Sequence, residues 1–92
     1  MKFRYEWDPR KSIANLTKHG VSFEEAASVY NDPLAITFRD PDHSVAEERL
    51  LTFGFSNTGR LLAIISTERG TALRIISARK ATRRERGIYE QS

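Results

Sequence analysis

Leu50-Leu-Thr-Phe-Gly-Phe-Ser-Asn-Thr-Gly-Arg-Leu-Leu-Ala-Ile-Ile-Ser-Thr-Glu-Arg-Gly-Thr-Ala-Leu-Arg-Ile-Ile-Ser-Ala78 is three apolar stretches separated by two groups of turn residues. Leu51, Phe53 and Phe55 alternate with Leu50, Thr52 and Gly54, the period of two that marks a strand. Ser56 to Gly59 is a tight-turn sequence. From Arg60 to Thr67 the chain is almost unbroken in its apolar character through Leu61 to Ile65, which suits a central strand covered on both faces. Glu68 to Thr71 turns again, and Leu73, Ile75 and Ser77 alternate with Arg74, Ile76 and Ala78. Connections this short imply an antiparallel meander. Upstream, Leu34, Ile36 and Phe38 alternate with Ala35, Thr37 and Arg39, bringing the meander to four strands.

Further toward the N-terminus, Phe3, Tyr5 and Trp7 alternate with Arg4 and Glu6 as another half-buried strand. Asp8-Pro9 is a helix start, an Asp cap followed by Pro at the first helical position. That helix is predicted over 9–19, stopped by Gly20 in a left-handed cap. Ile13 and Leu16 are its main apolar residues, and Lys11, Asn15 and Lys18 form a polar stripe on another face. Ser22-Phe-Glu-Glu25 has the form of a capping box. The second helix carries Phe23, Ala26, Ala27 and Tyr30 and ends near Asn31-Asp32-Pro33. The expected fold is α+β: an N-terminal strand, two helices packed on a four-stranded antiparallel meander, and a C-terminal basic helix, in one domain over 1–92.

Downstream, Arg74-Ile-Ile-Ser-Ala-Arg-Lys-Ala-Thr-Arg-Arg-Glu-Arg-Gly-Ile-Tyr89 begins as a strand, is predicted to turn over 77–82, and continues as a helix opened by a second capping box, Thr82-Arg-Arg-Glu85. Six of its sixteen residues are cationic: Arg74, Arg79, Lys80, Arg83, Arg84 and Arg86. From Arg69 to Ser92 seven basic residues stand against Glu85 and Glu90, a balance of +5. From Asp32 to Glu48 five acidic residues stand against Arg39, a balance of −4. Such a division points to a basic face for nucleic acid or an acidic partner.

Other chemistries lose ground. The chain has no cysteine, so thiol nucleophiles, disulfides and Cys-ligated metals are excluded. No apolar run approaches the ~18–20 residues of a membrane span, and the N-terminus has no signal-peptide core. A cytoplasmic location without membrane contact is expected. His43 lies in a loop with Asp40, Asp42, Glu47 and Glu48, but carboxylates in a solvated loop usually bind nothing, and neither metal nor other cofactor is expected. No glycine-rich phosphate loop and no nucleophile motif is present.

Cations and aromatics remain, the materials of metal-free RNA cleavage. There the 2′-hydroxyl attacks the adjacent phosphorus, and the dianionic transition state needs fixed positive charge, which the planar fork of Arg supplies. Arg74, Arg79, Lys80 and Arg83 fall at a strand end and the first turn of a helix, where backbone N–H groups add anion affinity. Tyr89, Tyr5 and His19 are the candidates for moving protons.

Tyr5-Glu-Trp-Asp-Pro-Arg-Lys11, Asn15-Leu-Thr-Lys-His-Gly-Val-Ser-Phe-Glu-Glu-Ala27, Asp32-Pro33, Asp40-Pro-Asp-His-Ser44, Glu48-Arg49 and Arg74-Ile-Ile-Ser-Ala-Arg-Lys-Ala81, with Glu85 and Tyr89, resemble the BrnT family of type II toxins over essentially the whole chain. The resemblance implies a RelE-like ribonuclease fold and an endoribonuclease that arrests translation. It also implies neutralisation by a BrnA-like antitoxin with a ribbon-helix-helix domain, whose complex with the toxin represses its own operon. Operator DNA would then be met only through the antitoxin. Carried over, Arg74, Arg79, Lys80, Glu85 and Tyr89 match positions of the family's C-terminal motif. Arg74, Arg79, Lys80 and Tyr89 are taken as the catalytic candidates, and the further basic residues Lys18, His19, Arg69 and Arg83 as RNA-binding. Arg83, Arg84 and Arg86 would meet the antitoxin. The chain departs from the family pattern at Ser66, where His or Tyr is common, and at Gly70-Thr71-Ala72. The first departure raises an alternative: a catalytically weak or inactive module that binds RNA or antitoxin.

Overall fold

The computed structural model describes residues 4–40 and 48–92. In chain order it contains β1 (Arg4–Glu6), α1 (Pro9–His19), α2 (Phe23–Ser28), a 3-10 turn (Val29–Asn31), β2 (Ile36–Arg39), β3 (Leu50–Phe55), β4 (Leu61–Arg69), β5 (Ala72–Lys80) and α3 (Arg83–Glu90). The expectations at Phe3, Asp42, His43 and Glu47 lie outside the described residues.

The five strands form one mixed sheet in the order β1-β5-β4-β3-β2. Strands β2 to β5 pair antiparallel as successive neighbours, and β1 joins the outer side of β5 in parallel. The N-terminal strand therefore extends the meander into a five-stranded sheet. Leu61 to Ile64 are at most 4% exposed, as an apolar run with a strand on either side should be.

Directly opposed residues share a face of the sheet. One face, bearing Leu62, Ile64, Ile75 and Ala78, packs against Val21, Phe23, Ala26 and Val29 to form the core. Tyr5 stacks on Tyr30 and Trp7 meets the edge of Phe23 at this helix-covered face. The 3-10 turn approaches β3 so closely that a Cβ on Gly54 would meet Val29 Cγ1 at 2.8 Å and Ala35 Cβ at 3.0 Å. Only glycine fits there without displacing the turn.

Helix α1 begins and ends as expected, with Asp8 accepting from the Arg10 N–H and Gly20 left-handed at φ 70°. Lys11 and Lys18 are exposed as expected, but three other positions depart from the expectation. Asn15, assigned to a polar stripe, is 7% exposed, while Ile13 and Leu16 are 68% and 51% exposed. The helix docks through hydrogen bonds: the Asn15 amide donates to Val21 O at 2.9 Å and Ala78 O at 2.8 Å, and accepts from Ala78 N–H at 3.1 Å. Strand β1 covers only Ala72 to Arg74 of β5, so beyond that point Asn15 completes the strand's edge.

The first capping box is also only half formed. Ser22 Oγ accepts from Glu25 N–H at 3.0 Å, but the Glu25 carboxylate leaves the helix terminus. It takes Arg60 Nε–H at 3.0 Å, the Ser56 hydroxyl at 2.7 Å and the Thr58 hydroxyl at 2.6 Å, with a second contact to Arg60 Nη2. This cluster fastens α2 to the β3–β4 turn. The Arg60 fork, with help from Thr58 and Ser56, holds the Glu25 carboxyl down at about 2, against an ordinary 4.5 and against the opposing effect of burial. A carboxylate depressed on folding contributes stability that is fully present above its unfolded value and is lost as pH falls through its folded value. Thermal melts should therefore show Glu25→Gln well below the parent at neutral pH, with the gap closing between pH 4.5 and about 2. A gap that stays constant across that window would remove Glu25 from acid stability.

Candidate functional site

Strand β5 runs through Lys80, so the turn predicted over 77–82 shrinks to Ala81 and Thr82. The reason is that β4 is nine residues long and offers partners as far as Leu62 opposite Lys80, after which Ala81 N–H still bonds Leu61 O at 2.9 Å.

The register contains a shift. Ile65 opposes Ser77 and Ser66 opposes Ile75, which leaves Ile76 as an extra residue in β5. A bulge of this kind reverses the alternation beyond it. Arg74 and Arg79 are five residues apart and would project from opposite faces of a regular strand. Across the bulge they share one face, because their partners Thr67 and Ala63 lie an even number of residues apart in β4. Ala78 moves correspondingly into the core with Ile75, and Ser77 joins the arginines, the reverse of the expected alternation. Arg69, opposite Ala72, and Arg4 in β1 project on this same face, whose end at Phe55 and Leu61 is covered by α3. The result is a row of Arg69, Arg74, Ser77 and Arg79, with Arg74 and Arg79 about 13 Å apart along the strand direction at ordinary rise.

Each cation has a different degree of freedom. Arg79 is clamped by Glu85 through Nη1–Oε1 at 2.7 Å and Nη2–Oε2 at 2.9 Å, and its Nη1 also donates to Lys80 O at 3.3 Å. Three of its five donors are thus engaged. The clamp holds the Glu85 carboxyl below its usual range. Glu85 also accepts from Thr82 N–H at 2.9 Å while Glu85 N–H bonds Thr82 Oγ1 at 3.1 Å, so the second capping box is complete. The anion position expected at the start of α3 is consequently held by the protein's own carboxylate. Arg74 has only Glu6 Oε1 at 4.0 Å, beyond hydrogen-bonding distance. Arg69 forms no ion pair among the described residues. Arg74 is the freer of the two central forks.

The remaining candidates lie elsewhere. The Tyr89 hydroxyl donates to Asp32 Oδ2 at 2.7 Å, and its ring meets the edge of Phe55 at 5.5 Å. That hydrogen bond, with burial added, pushes the phenol up to about 12. Asp32 also takes Phe55 N–H and Leu34 N–H, each at 2.9 Å, and together these donors outweigh burial and keep its carboxyl low. Tyr89 is thus a hydrogen-bond donor already committed to docking α3 over β3. Arg79 stands two strands away, about 10 Å at ordinary strand spacing. Lys80, opposite Leu62, projects on the helix-covered face, away from the row. Lys18 and His19 end α1, where Gly20 O accepts from Arg60 Nη2 at 2.9 Å. Tyr5 is on the helix-covered face, where burial raises its phenol. Arg83 and Arg84 are exposed on α3, and Arg86 sits 5.8 Å from the Phe55 ring.

Ser66 is fully buried on the helix-covered face and accepts from the Tyr30 hydroxyl at 3.2 Å. It faces away from Arg74 and Arg79. Sequence reasoning did not find Arg4, nor Asp32 and Glu85 as partners of Tyr89 and Arg79. The signal for the bulge was present in the apolar residues: Leu73, Ile75 and Ala78 break the period of two at Ile76.

The family described as the BrnT ribonuclease toxin of type II toxin-antitoxin systems matches residues 7–85. The crystal structure of the Brucella abortus ribonuclease toxin BrnT aligns with a TM-score of 0.68 at 28% sequence identity, covering 89% of this chain and 100% of that one. No curated protein matches the chain.

Proposed function

This chain belongs to the BrnT ribonuclease toxins of type II toxin-antitoxin systems, and from that premise we propose that it cleaves RNA without a metal ion along the arginine row of β4 and β5. The observation that carries the reading is the bulge at Ile76, which sets Arg74 and Arg79 on the same face of the sheet. Arg74, and the donors of Arg79 left over from Glu85, would stabilise the charge that builds on the phosphate as the 2′-oxygen, its proton passed to a base, attacks. The bond to the 5′-oxygen breaks, that oxygen leaving with a proton from an acid. Arg69 and the exposed Arg83 would bind flanking phosphates, and Lys18 and His19 would meet RNA that continues around the end of the sheet. Lys80 moves from the catalytic group to phosphate binding, because it projects away from the row. Tyr89 becomes the residue that positions α3.

A type II toxin has an antitoxin partner. We read it as a BrnA-like protein whose ribbon-helix-helix domain binds operator DNA, with Arg83, Arg84 and Arg86 on α3 as its contacts. Inhibited translation in the cytoplasm and a RelE-like fold belong to the same reading. The alternative of a non-cleaving module drew on Ser66 and on the absence of a clear base. Ser66 lies on the opposite face, while the commitment of the Tyr89 hydroxyl to Asp32 leaves the second ground in place. Among the described residues, no helix is long and apolar enough to cross a membrane.

Purified protein incubated with single-stranded RNA in EDTA should yield fragments ending in 2′,3′-cyclic phosphate. Intact RNA under those conditions, together with harmless expression in cells, would overturn the proposal.

A further inference from the structure

At the end of the sheet where β4 begins and β5 stops, Gly59, Arg60, Leu61, Lys80, Ala81 and Arg86 line a groove of about 290 Å³. Three elements converge there: the β3–β4 turn, the last residue of β5, and the second turn of α3. No carboxylate lines it. The Arg60 fork is already taken by Glu25 and Gly20 O, so Arg60 contributes its stem and little charge. Lys80 is exposed and forms no ion pair among the described residues. Arg86 is paired only with Glu90, at 3.9 Å on a surface where such pairs are worth little. Its guanidinium lies over the Phe55 ring, which fixes its position without neutralising it. Lys80, without an ion pair among the described residues, and Arg86, with only a weak surface pair, therefore line one concave surface.

Backbone donors add little. Gly59 N–H bonds Ser56 O, and Ala81 N–H bonds Leu61 O. A ligand would be held by side-chain charge, which suits a diffuse anion and not a shape-specific one. The position favours nucleic acid. Arg79 and Lys80 are adjacent residues on opposite faces, so a chain leaving the arginine row at Arg79 reaches the groove by passing over the strand end. The C-terminus of α1, with Lys18 and His19, lies beside the same end through the bond from Arg60 to Gly20.

We propose that this groove is a second phosphate site, taking a phosphodiester of single-stranded RNA that flanks the arginine row. The proposal rests on the ribonuclease reading above and extends it: the row acts on one phosphate while the groove fixes the register of the strand. Contacts of this kind position a nucleic acid without reading its bases.

The test uses the full chain and a 2′-O-methyl oligonucleotide, which binds and cannot be cut. Its affinity is followed by fluorescence anisotropy across a salt series. Each phosphate contact on a single strand contributes about 0.7 to the slope of log K against log salt. Lys80→Gln combined with Arg86→Gln should lower that slope by about 1.4, with circular dichroism unchanged. Arg10→Gln, an exposed charge at the far end of α1, serves as the comparison and should leave the slope alone. An equal fall per charge in both variants overturns the groove in favour of general attraction. A parent protein that does not bind the oligonucleotide overturns the ribonuclease reading itself, and the groove with it. Should the double variant lose binding to an oligoglutamate peptide while its oligonucleotide slope is unchanged, the groove belongs to an acidic protein segment and the RNA assignment is wrong.

Discussion

Arg74→Ala reduces RNA cleavage to about one hundredth of the parent rate while the protein keeps its fold, the loss typical of removing one fixed electrostatic stabiliser from a reacting centre. Arg74 suits this test better than Arg79. Its side chain is half-buried, and its ion-pair partner is Glu6, with Oε1 at 4.0 Å. Exposed pairs of that length contribute about 0–1 kcal/mol, so the substitution removes charge from the site and little from stability. Arg79→Ala would mix two effects, because it also breaks the clamp on Glu85 that ties the end of β5 to the start of α3. Arg74→Lys keeps the charge and loses the planar fork, and should recover only part of the rate. The measurement is single-turnover cleavage of a defined RNA in EDTA, alongside a melting curve. Undiminished cleavage by a normally folded Arg74→Ala protein would remove the arginine row from the reaction.

What can be read from residues alone differs sharply between the sheet and the site. The apolar runs at Leu50–Phe55 and Leu61–Ile65 and the glycine turns between them specify antiparallel neighbours, because each run has one way to bury itself. Asp8-Pro9 and Gly20 place α1 to the residue. The face of that helix is another matter. Ile13 and Leu16 look like a core stripe, yet the helix is seated by an amide on a strand edge, and periodicity carries no information about a hydrogen-bond partner 63 residues away. The arginine row suffered similarly. A period of two sends Arg74 and Arg79 to opposite faces, and a single extra residue at Ile76 reverses that. The same limit applies to Glu25 and Glu85. Both sit at the third position of a capping box. One completes its box and also clamps Arg79, while the other is drawn off by Arg60 in a distant turn. Local sequence cannot rank a nearby backbone donor against a guanidinium brought in by the fold.

That amide carries the largest expected effect on stability. Asn15 is 7% exposed and satisfies three backbone groups, Val21 O, Ala78 O and Ala78 N–H. Asn15→Ala removes the partner of all three, on residues that are 0% exposed. Each unsatisfied buried group costs about 1–3 kcal/mol, so the variant should lose at least about 3 kcal/mol, a large part of the 5–15 kcal/mol that holds an ordinary domain together. At roughly 4–8 °C per kcal/mol for a domain of this size, the melting temperature should fall by more than about 12 °C. Asn15→Asp keeps the acceptor for Ala78 N–H but turns the two donors into a carboxylate facing two carbonyl oxygens, and should be no better at neutral pH. Ile13→Ala on the same helix is the decisive comparison: at 68% exposed, it should change stability by no more than about 0.5 kcal/mol. A hydrophobically docked helix would rank the two substitutions the other way. If Ile13→Ala melts as low as Asn15→Ala, the amide does not seat α1, and the edge of β5 beyond Arg74 must be held by something else.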